Sequence, residues 1–269
     1  MDAAILEREL VQARLLSAVF SRALKNEVVL KGGMAMRALY GSQRHTKDID
    51  LGQDGAAHSL ASLQRLMRRA VKEATQGFLD AVVVTEPKQT DTVARWKIHG
   101  RTPAGTDIGL TVEVSRRGVA NGHLTHETYR VPGGGMPAVT LDVYDGQAMA
   151  ASKVFALASE TRLAPRDLYD LDLLVRMDVR PDPALFDGIP DRRAFVAQCW
   201  RKIELMDWAL FEQEVMPYLP GSARSRLDEP AFEAMRIRVG EAIERWLGQP
   251  GDEGGHEEPS SIKTQRPRE

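Results

Sequence analysis

One short segment constrains the fold of this chain more than any other part of it. Residues 28–51 predict a short apolar strand, a glycine pair, a short helix, a polar loop and a second strand with two acids. Because alternate side chains of a strand point to the same face, Asp48 and Asp50 should project together while Ile49 turns into the core. Two adjacent carboxylates repel each other unless a cation lies between them, and Mg²⁺ prefers oxygen ligands. The pair therefore indicates a divalent-cation site.

The glycine pair before the acids adds a second indication. Gly32 and Gly33 fall where the first strand turns into the helix, and glycine lets a phosphate approach the backbone there. An Asp-x-Asp pattern alone is weak evidence, because residues 170–172 repeat it. The combination of turn and acids predicts a phosphate-transferring metal site. The alternative is a solvent-exposed strand end after a tight turn.

The bulk composition excludes several classes of protein. The chain has 269 residues, 43% of them hydrophobic and 28% charged, which is enough for one large domain or two modest ones. A net charge of -2 argues against a nucleic-acid field over the whole chain, though not against a local basic patch. Cys199 is the only cysteine, which excludes an intramolecular disulfide or a cysteine-based metal cluster. Without a signal-peptide or membrane-span pattern, we expect a cytoplasmic protein with no membrane partner.

Hydrophobic periodicity predicts an α+β fold, in which a mixed sheet flanked by helices is followed by an all-helical C-terminal domain. We expect an α/β domain over residues 1–145, a helical domain over 146–248 and a disordered tail over 249–269, with a flexible glycine break at 133–135. Strands are predicted at 28–30, 48–51, 81–84, 94–98, 107–115 and 139–143, and helices at 2–25, 57–78, 147–159, 166–177, 192–217 and 229–247.

Glu113 is a candidate third carboxylate. It lies between two valines of the strand predicted over 107–115, so its side chain faces away from theirs. If that strand neighbours the Asp48 strand, Glu113 completes a metal site. A surface glutamate on a half-exposed strand is an equally good interpretation, and Asp107 is a weaker alternative ligand.

Three charged residues of the helical half are further candidates. Lys153 either lies on a solvated helix face or donates to a triphosphate as a point charge. Asp167, near a helix N-terminus, has a simple explanation in the helix macrodipole. Asp170, one turn later, could orient Lys153 or act as a base toward an attacking hydroxyl.

Two basic patches could hold an RNA backbone. One is a helical stripe of Arg65, Arg68, Arg69 and Lys72, and the other is Arg116 with Arg117. A solvated helix face explains the stripe at least as well.

The order of these motifs resembles the AbiEii/AbiGii nucleotidyltransferase-like toxin family, known from type IV toxin–antitoxin and abortive-infection systems. The resemblance covers roughly residues 25–178. It rests on Lys31-Gly32-Gly33, on Arg44-x-Thr46-x-Asp48-Ile49-Asp50, on Lys153 and on Arg166-Asp167-Leu168-Tyr169-Asp170-Leu171. The resemblance implies a nucleotidyltransferase-like sheet of the polymerase-beta kind.

The resemblance also implies roles for individual residues. Nucleotide binding would involve Gly32, Gly33, Arg44, Thr46 and Lys153, and the metal would be Mg²⁺, with Mn²⁺ as the alternative. The catalytic set would be Asp48, Asp50, Lys153 and Asp170, with Asp167 as the second choice for Asp170. The metal ligands would be Asp48 and Asp50. Glu113, proposed above from its strand position alone, would join them if its strand is adjacent. Two departures stand out: many nucleotidyltransferases have serine where Gly33 stands, and the stretch from Lys153 to Asp170 is slightly long.

The function implied is that of a toxin enzyme with an NTP as its donor. A hydroxyl would attack the α-phosphorus in line, and pyrophosphate would leave. Related toxins indicate the 3′ end of tRNA as the RNA acceptor, and a cognate antitoxin protein as partner. Transfer to a small molecule or a protein is one alternative. A non-catalytic module that binds nucleotide or RNA is another.

Overall fold

The computed structural model describes residues 3–130 and 138–248, and its strands form one sheet. The predicted glycine break at 133–135 and the predicted tail lie outside these residues. The strands are β1 Val29–Lys31, β2 Asp48–Gly52, β3 Asp80–Gln89, β4 Val93–Arg101, β5 Asp107–Ser115, β6 Leu124–Tyr129 and β7 Val139–Tyr144.

The seven-stranded sheet has the order β3-β4-β5-β2-β1-β7-β6. Strand β2 pairs antiparallel with β1 and parallel with β5, and β1 pairs parallel with β7, so the sheet is mixed. The segment with the glycine pair and the two acids therefore forms the middle of the sheet. The strand that carries Glu113, β5, lies directly beside β2, which meets the condition under which Glu113 could join the site.

Helices cover the sheet and form the C-terminal half. They are α1 Ala3–Phe20, α2 Gly32–Leu39, α3 Leu60–Thr75, α4 Gly146–Leu157, α5 Pro165–Arg176, α6 Arg192–Glu204, α7 Trp208–Glu214, α8 Gly221–Arg224 and α9 Glu229–Leu247, with 3₁₀ turns at Pro183–Phe186 and Met216–Tyr218. The predicted fold class, a mixed sheet flanked by helices and followed by helices, is confirmed.

Two details of the predicted elements are wrong. The helix predicted over 192–217 breaks after Glu204, because the Asp207 side chain accepts from the Leu210 N–H and begins a new helix. Strand β6 was not predicted, since its Thr, His and Glu residues show no clear apolar alternation at the edge of the sheet.

Two clusters of buried apolar side chains hold the structure together. One lies between the sheet and its flanking helices and includes the fully buried Leu30, Ile49 and Val112. The other joins the C-terminal helices around Phe211 and Phe232. The first cluster also includes Met149 of α4 and Leu174 of α5, so it crosses residue 145, and the division into domains there stays a prediction.

In the described part of the chain, no helix combines the length and the apolar character needed to cross a membrane.

Candidate active site

Three central strands place charged side chains in one row across the sheet. Lys31 of β1 is paired in register with Asp50 of β2, and Asp50 with Glu113 of β5. Asp48 and Asp50 both line the same cleft, while Ile49 between them is only 1% exposed. The alternation expected for a strand therefore brings the two acids to the same face of the sheet.

Asp50 and Glu113 of this row line a cleft of about 500 Å³ between the sheet and the helical half. A smaller cavity of about 190 Å³ adjoins it, is lined also by Lys31 and Gly32, and shares five lining residues with the cleft. The cleft is lined by Gly33, Arg44, Thr46, Asp48, Asp50, Arg95, Lys97, Thr111, Glu113, Lys153, Arg162, Arg166 and Asp167. Of the site residues predicted from sequence, Asp170 lines neither cavity.

The glycine pair makes room for two side chains of the site. Gly32 has a φ of +69°, and a Cβ there would lie 2.8 Å from the Asp50 Cβ. A Cβ on Gly33 would lie 2.9 Å from Nη2 of Arg44 and 3.4 Å from Oγ1 of Thr46. Where many nucleotidyltransferases have serine, the Arg44 guanidinium thus fills the space beside the start of α2.

The electrostatics of Asp50 fit a bound cation. Burial raises the pKa of Asp50 to about 6, the nearby Lys153 and Lys31 oppose this rise, and Asp48 and Glu113 add to it. The oxygen donors of Asp48 and Asp50 are what a hard divalent cation requires.

A third carboxylate is not free to join them. The Glu113 Oε2 accepts from Nε of Arg95 at 2.8 Å, and the two side chains form an ion pair. Among residues 3–130 and 138–248, no group of three or more His, Cys, Asp or Glu side chains is arranged to hold a metal. The residues in place would thus offer two carboxylates, and Glu113 would join them only by leaving Arg95.

Lys153 projects from α4 into the wall of the cleft. Its side chain is only 6% exposed, and Nζ donates to Oδ1 of Asp167 at 2.8 Å and to Oδ2 of Asp170 at 2.7 Å. Burial by itself would lower the pKa of Lys153, but the two carboxylates outweigh it and raise the pKa. The lysine therefore remains charged, with a fixed direction. The solvated-face alternative does not hold.

Asp170 is a fully buried partner of two cations. Besides Lys153, it accepts from Nη2 of Arg44 at 2.7 Å and from Nε of Arg44 at 3.2 Å. Burial alone would raise the pKa of Asp170, but Lys153 and Arg44 lower it. Its two oxygens are held by Arg44 and Lys153, and it lines neither cavity. Of the two roles predicted for Asp170, the geometry favours orientation of Lys153 over action as a base.

Helix α1 supports the loop between α2 and β2, a contribution that sequence reasoning missed. The Glu9 Oε1 lies 2.7 Å from Nδ1 of His45 and pairs with Arg37. Nε2 of Gln12 donates to the Thr46 carbonyl at 3.0 Å. Burial would raise the pKa of Glu9, but the hydrogen bonds from His45 and Arg37 lower it. The available signal was a pair of polar residues, three positions apart, among the apolar positions of α1.

The two predicted basic patches have different outcomes. Arg116 is buried and donates to Oε1 of Gln53 at 3.0 Å and to the Asp91 carbonyl at 3.2 Å, so it is not available to RNA. In the α3 stripe, Arg68 pairs with Glu86 at 2.8 Å. Neither patch lines the cleft.

Solved structures share this fold, and a family model shows the class of enzyme to which the chain belongs. JHP933 from Helicobacter pylori has 18% sequence identity and a TM-score of 0.55, over 92% of this chain and 93% of that one. MenT4, a nucleotidyltransferase toxin from Mycobacterium tuberculosis, has 19% identity and a TM-score of 0.56, over 93% and 87%. No curated protein sequence matches the chain. Residues 14–231 match the model of the nucleotidyl transferase AbiEii toxin, type IV TA system, and the chain belongs to that family.

Proposed function

We propose that this enzyme transfers a nucleotide from an NTP to an RNA acceptor in a Mg²⁺-dependent reaction. The observation that carries the proposal is the meeting of Asp48, Asp50 and Lys153 in one cleft of about 500 Å³. Paired carboxylates and a fixed cation are the groups that phosphoryl transfer needs, because its transition state spreads negative charge over the phosphate oxygens.

The donor would lie along the wall formed by the glycine turn and Lys153. Gly32 and Gly33 lie in the first turn of α2, where backbone N–H groups favour phosphate oxygens. Arg44 and Lys153 would neutralise the triphosphate, and Asp170 holds both cations in place. Bound Mg²⁺, held by Asp48 and Asp50, would supply charge that offsets the attacking and leaving oxygens. The acceptor hydroxyl would form the new bond to the α-phosphorus, and pyrophosphate would leave.

The charge of the cleft supports an anionic acceptor. Six of its lining residues are basic and four are acidic, so basic side chains outnumber acidic ones in the cleft. An acid-lined cleft would favour a small cationic molecule instead. We therefore propose RNA as the acceptor class, with the tRNA 3′ end as the first candidate, and a cytoplasmic location where NTP and tRNA meet.

An antitoxin partner is part of the same proposal. The chain belongs to a type IV toxin family, whose toxins are paired with an antitoxin. A cognate protein encoded elsewhere would counteract the transfer activity in the cell.

The decisive experiment is incubation of the full chain with each labelled NTP, Mg²⁺ and total tRNA. We expect label to enter RNA with the natural protein, and incorporation to fall at least a hundredfold with Asp50→Ala, with Asp48→Asn or after chelation of the metal. Protein and small-molecule fractions should be counted in the same reaction. Absence of label from every fraction with all NTPs would favour a non-catalytic binding module.

A further inference from the structure

A separate cavity of about 240 Å³ lies between the loop after α2 and the helical half. It shares no lining residue with the active-site cleft or the cavity beside it. Gln43 lines it from the loop, Tyr169 and Leu173 line it from α5, and Arg176 and Arg226 stand at its polar side. The cavity thus combines an aromatic ring and an aliphatic side chain with two guanidinium groups.

The residues that line this cavity include two arginines and no acidic residue. Arg226 uses only Nε, which donates to the Ser222 carbonyl at 2.9 Å; within the described residues its two terminal nitrogens have no partner. Arg176 pairs with Asp172 at 3.0 Å, but Nε of Arg238 also donates to Asp172, at 2.7 Å. One buried carboxylate is therefore shared by two arginines, and Arg226 remains uncompensated. Free guanidinium nitrogens favour phosphate, which they bind with two parallel hydrogen bonds.

We propose that this cavity is a second nucleotide-binding site. A nucleobase would lie against Tyr169 and Leu173, with its polar edge toward Gln43, and the phosphate would bind Arg176 and Arg226. Stacking on an aromatic side chain tolerates any base, so the site would bind a nucleotide whichever base it carries. The nucleotide is either free or an unpaired residue of an RNA.

The position of the cavity couples it to the active site. Gln43 directly precedes Arg44 in the chain, and Tyr169 directly precedes Asp170. These successors form the buried ion pair that orients Lys153. A nucleotide in the cavity would therefore contact the two segments, the loop after α2 and helix α5, that carry the members of this ion pair. Binding itself does not rest on the proposed transfer reaction.

Photolabelling of the full chain tests this proposal, with azido-AMP in one arm and a short single-stranded RNA that carries azidoadenosine in the other. Labelled peptides are mapped by mass spectrometry. We expect label at Tyr169 or within residues 223–227, and at least a tenfold loss of it in the double variant Arg176→Ala/Arg226→Ala. The matched control is Arg224→Ala, because Arg224 also donates through Nε to a carbonyl, that of Leu219 at 2.9 Å, but does not line the cavity.

Each outcome has a defined meaning. Label from both probes or from azido-AMP shows a site for free nucleotide, and label from the RNA alone shows a site for an RNA residue; either supports the proposal. No label at these positions, or equal label in the double variant with an unchanged melting temperature, overturns it. A chain that transfers no nucleotide but shows the expected labelling contradicts the proposed function and leaves this inference standing.

Discussion

The Asp50 carboxylate occupies a space that exists because residue 32 has no side chain. The positive φ of Gly32 and the short distance to Asp50 are two separate reasons for glycine at this position. Gly33 similarly leaves room for Arg44. The glycine pair was predicted to admit phosphate. In the structure, it first admits the side chains that would bind the metal and the phosphate.

Gly32→Ala should lower nucleotide transfer by at least a hundredfold, because the new methyl group displaces Asp50. Gly77→Ala is the matched control, since Gly77 has the same φ of +69° but a methyl group added there would meet nothing within 4 Å. Both changes introduce the same backbone strain, of about 1 kcal/mol or more. Thermal melts and transfer assays on the two variants separate the effect of backbone strain from the effect of displacing Asp50. Equal activity in both variants would contradict the role given to Gly32.

Helix α1 and the 3₁₀ turn at Met216–Tyr218 approach the loop before β2 from two sides. The first does so through Glu9 and Gln12. The second does so through the Tyr218 carbonyl, which accepts from the His45 N–H at 2.7 Å. The loop that carries Arg44 is thus held by elements distant in the chain, which gives its side chains a defined direction.

Glu9→Gln should make the free energy of unfolding depend less on pH below about pH 4.5. The folded state lowers the pKa of Glu9 from its ordinary value of 4.5, so its stabilisation is fully present above pH 4.5 and is lost as pH falls through the lower folded value. Denaturant unfolding at pH 7 and at pH 3.5 measures this. The natural protein should lose more free energy of unfolding between the two than the variant. Parallel losses in both proteins would contradict the assignment.

Tyr218→Leu should weaken binding of the RNA acceptor more than binding of the NTP donor. Two cations lie over the Tyr218 ring: Arg166, with Cζ 4.5 Å from the ring centroid, and Lys47, with Nζ 5.6 Å from it. Cation–π contacts contribute about 0.5–2 kcal/mol, so loss of the ring should raise KM for RNA several-fold while KM for NTP stays unchanged. Tyr218→Phe keeps the ring and should behave as the natural protein. A rise in both KM values would indicate a general structural role.

The two halves of the molecule are joined by a buried ion-pair network. Arg44 lies in the sheet half, Asp170 lies in α5, and 126 positions separate them in the chain. Lys153 extends the network to the cleft. The network therefore couples the packing of the halves to the geometry of the active site.

Asp170→Asn should destabilise the whole molecule as well as lower transfer. Loss of one partner from a buried ion pair costs about 3–5 kcal/mol, because the cations remain buried without compensation. Asp187→Asn is the control, since Asp187 pairs with Arg192 but is 73% exposed, and should change the free energy of unfolding by less than about 1 kcal/mol. Equilibrium unfolding in urea measures both. A similar small change in the two variants would contradict a coupling role for Asp170.

Local pattern alone predicted the central features: the strands around the glycine turn, the common face of Asp48 and Asp50, and the change to helices after the sheet. These follow from interactions between residues a few positions apart, which the sequence displays directly. Tertiary structure alone decided the partners of Glu113, Arg116, Lys153 and Asp170. Burial and ion pairing depend on residues brought together from distant parts of the chain, and no local pattern records which opposite charge will face a given side chain.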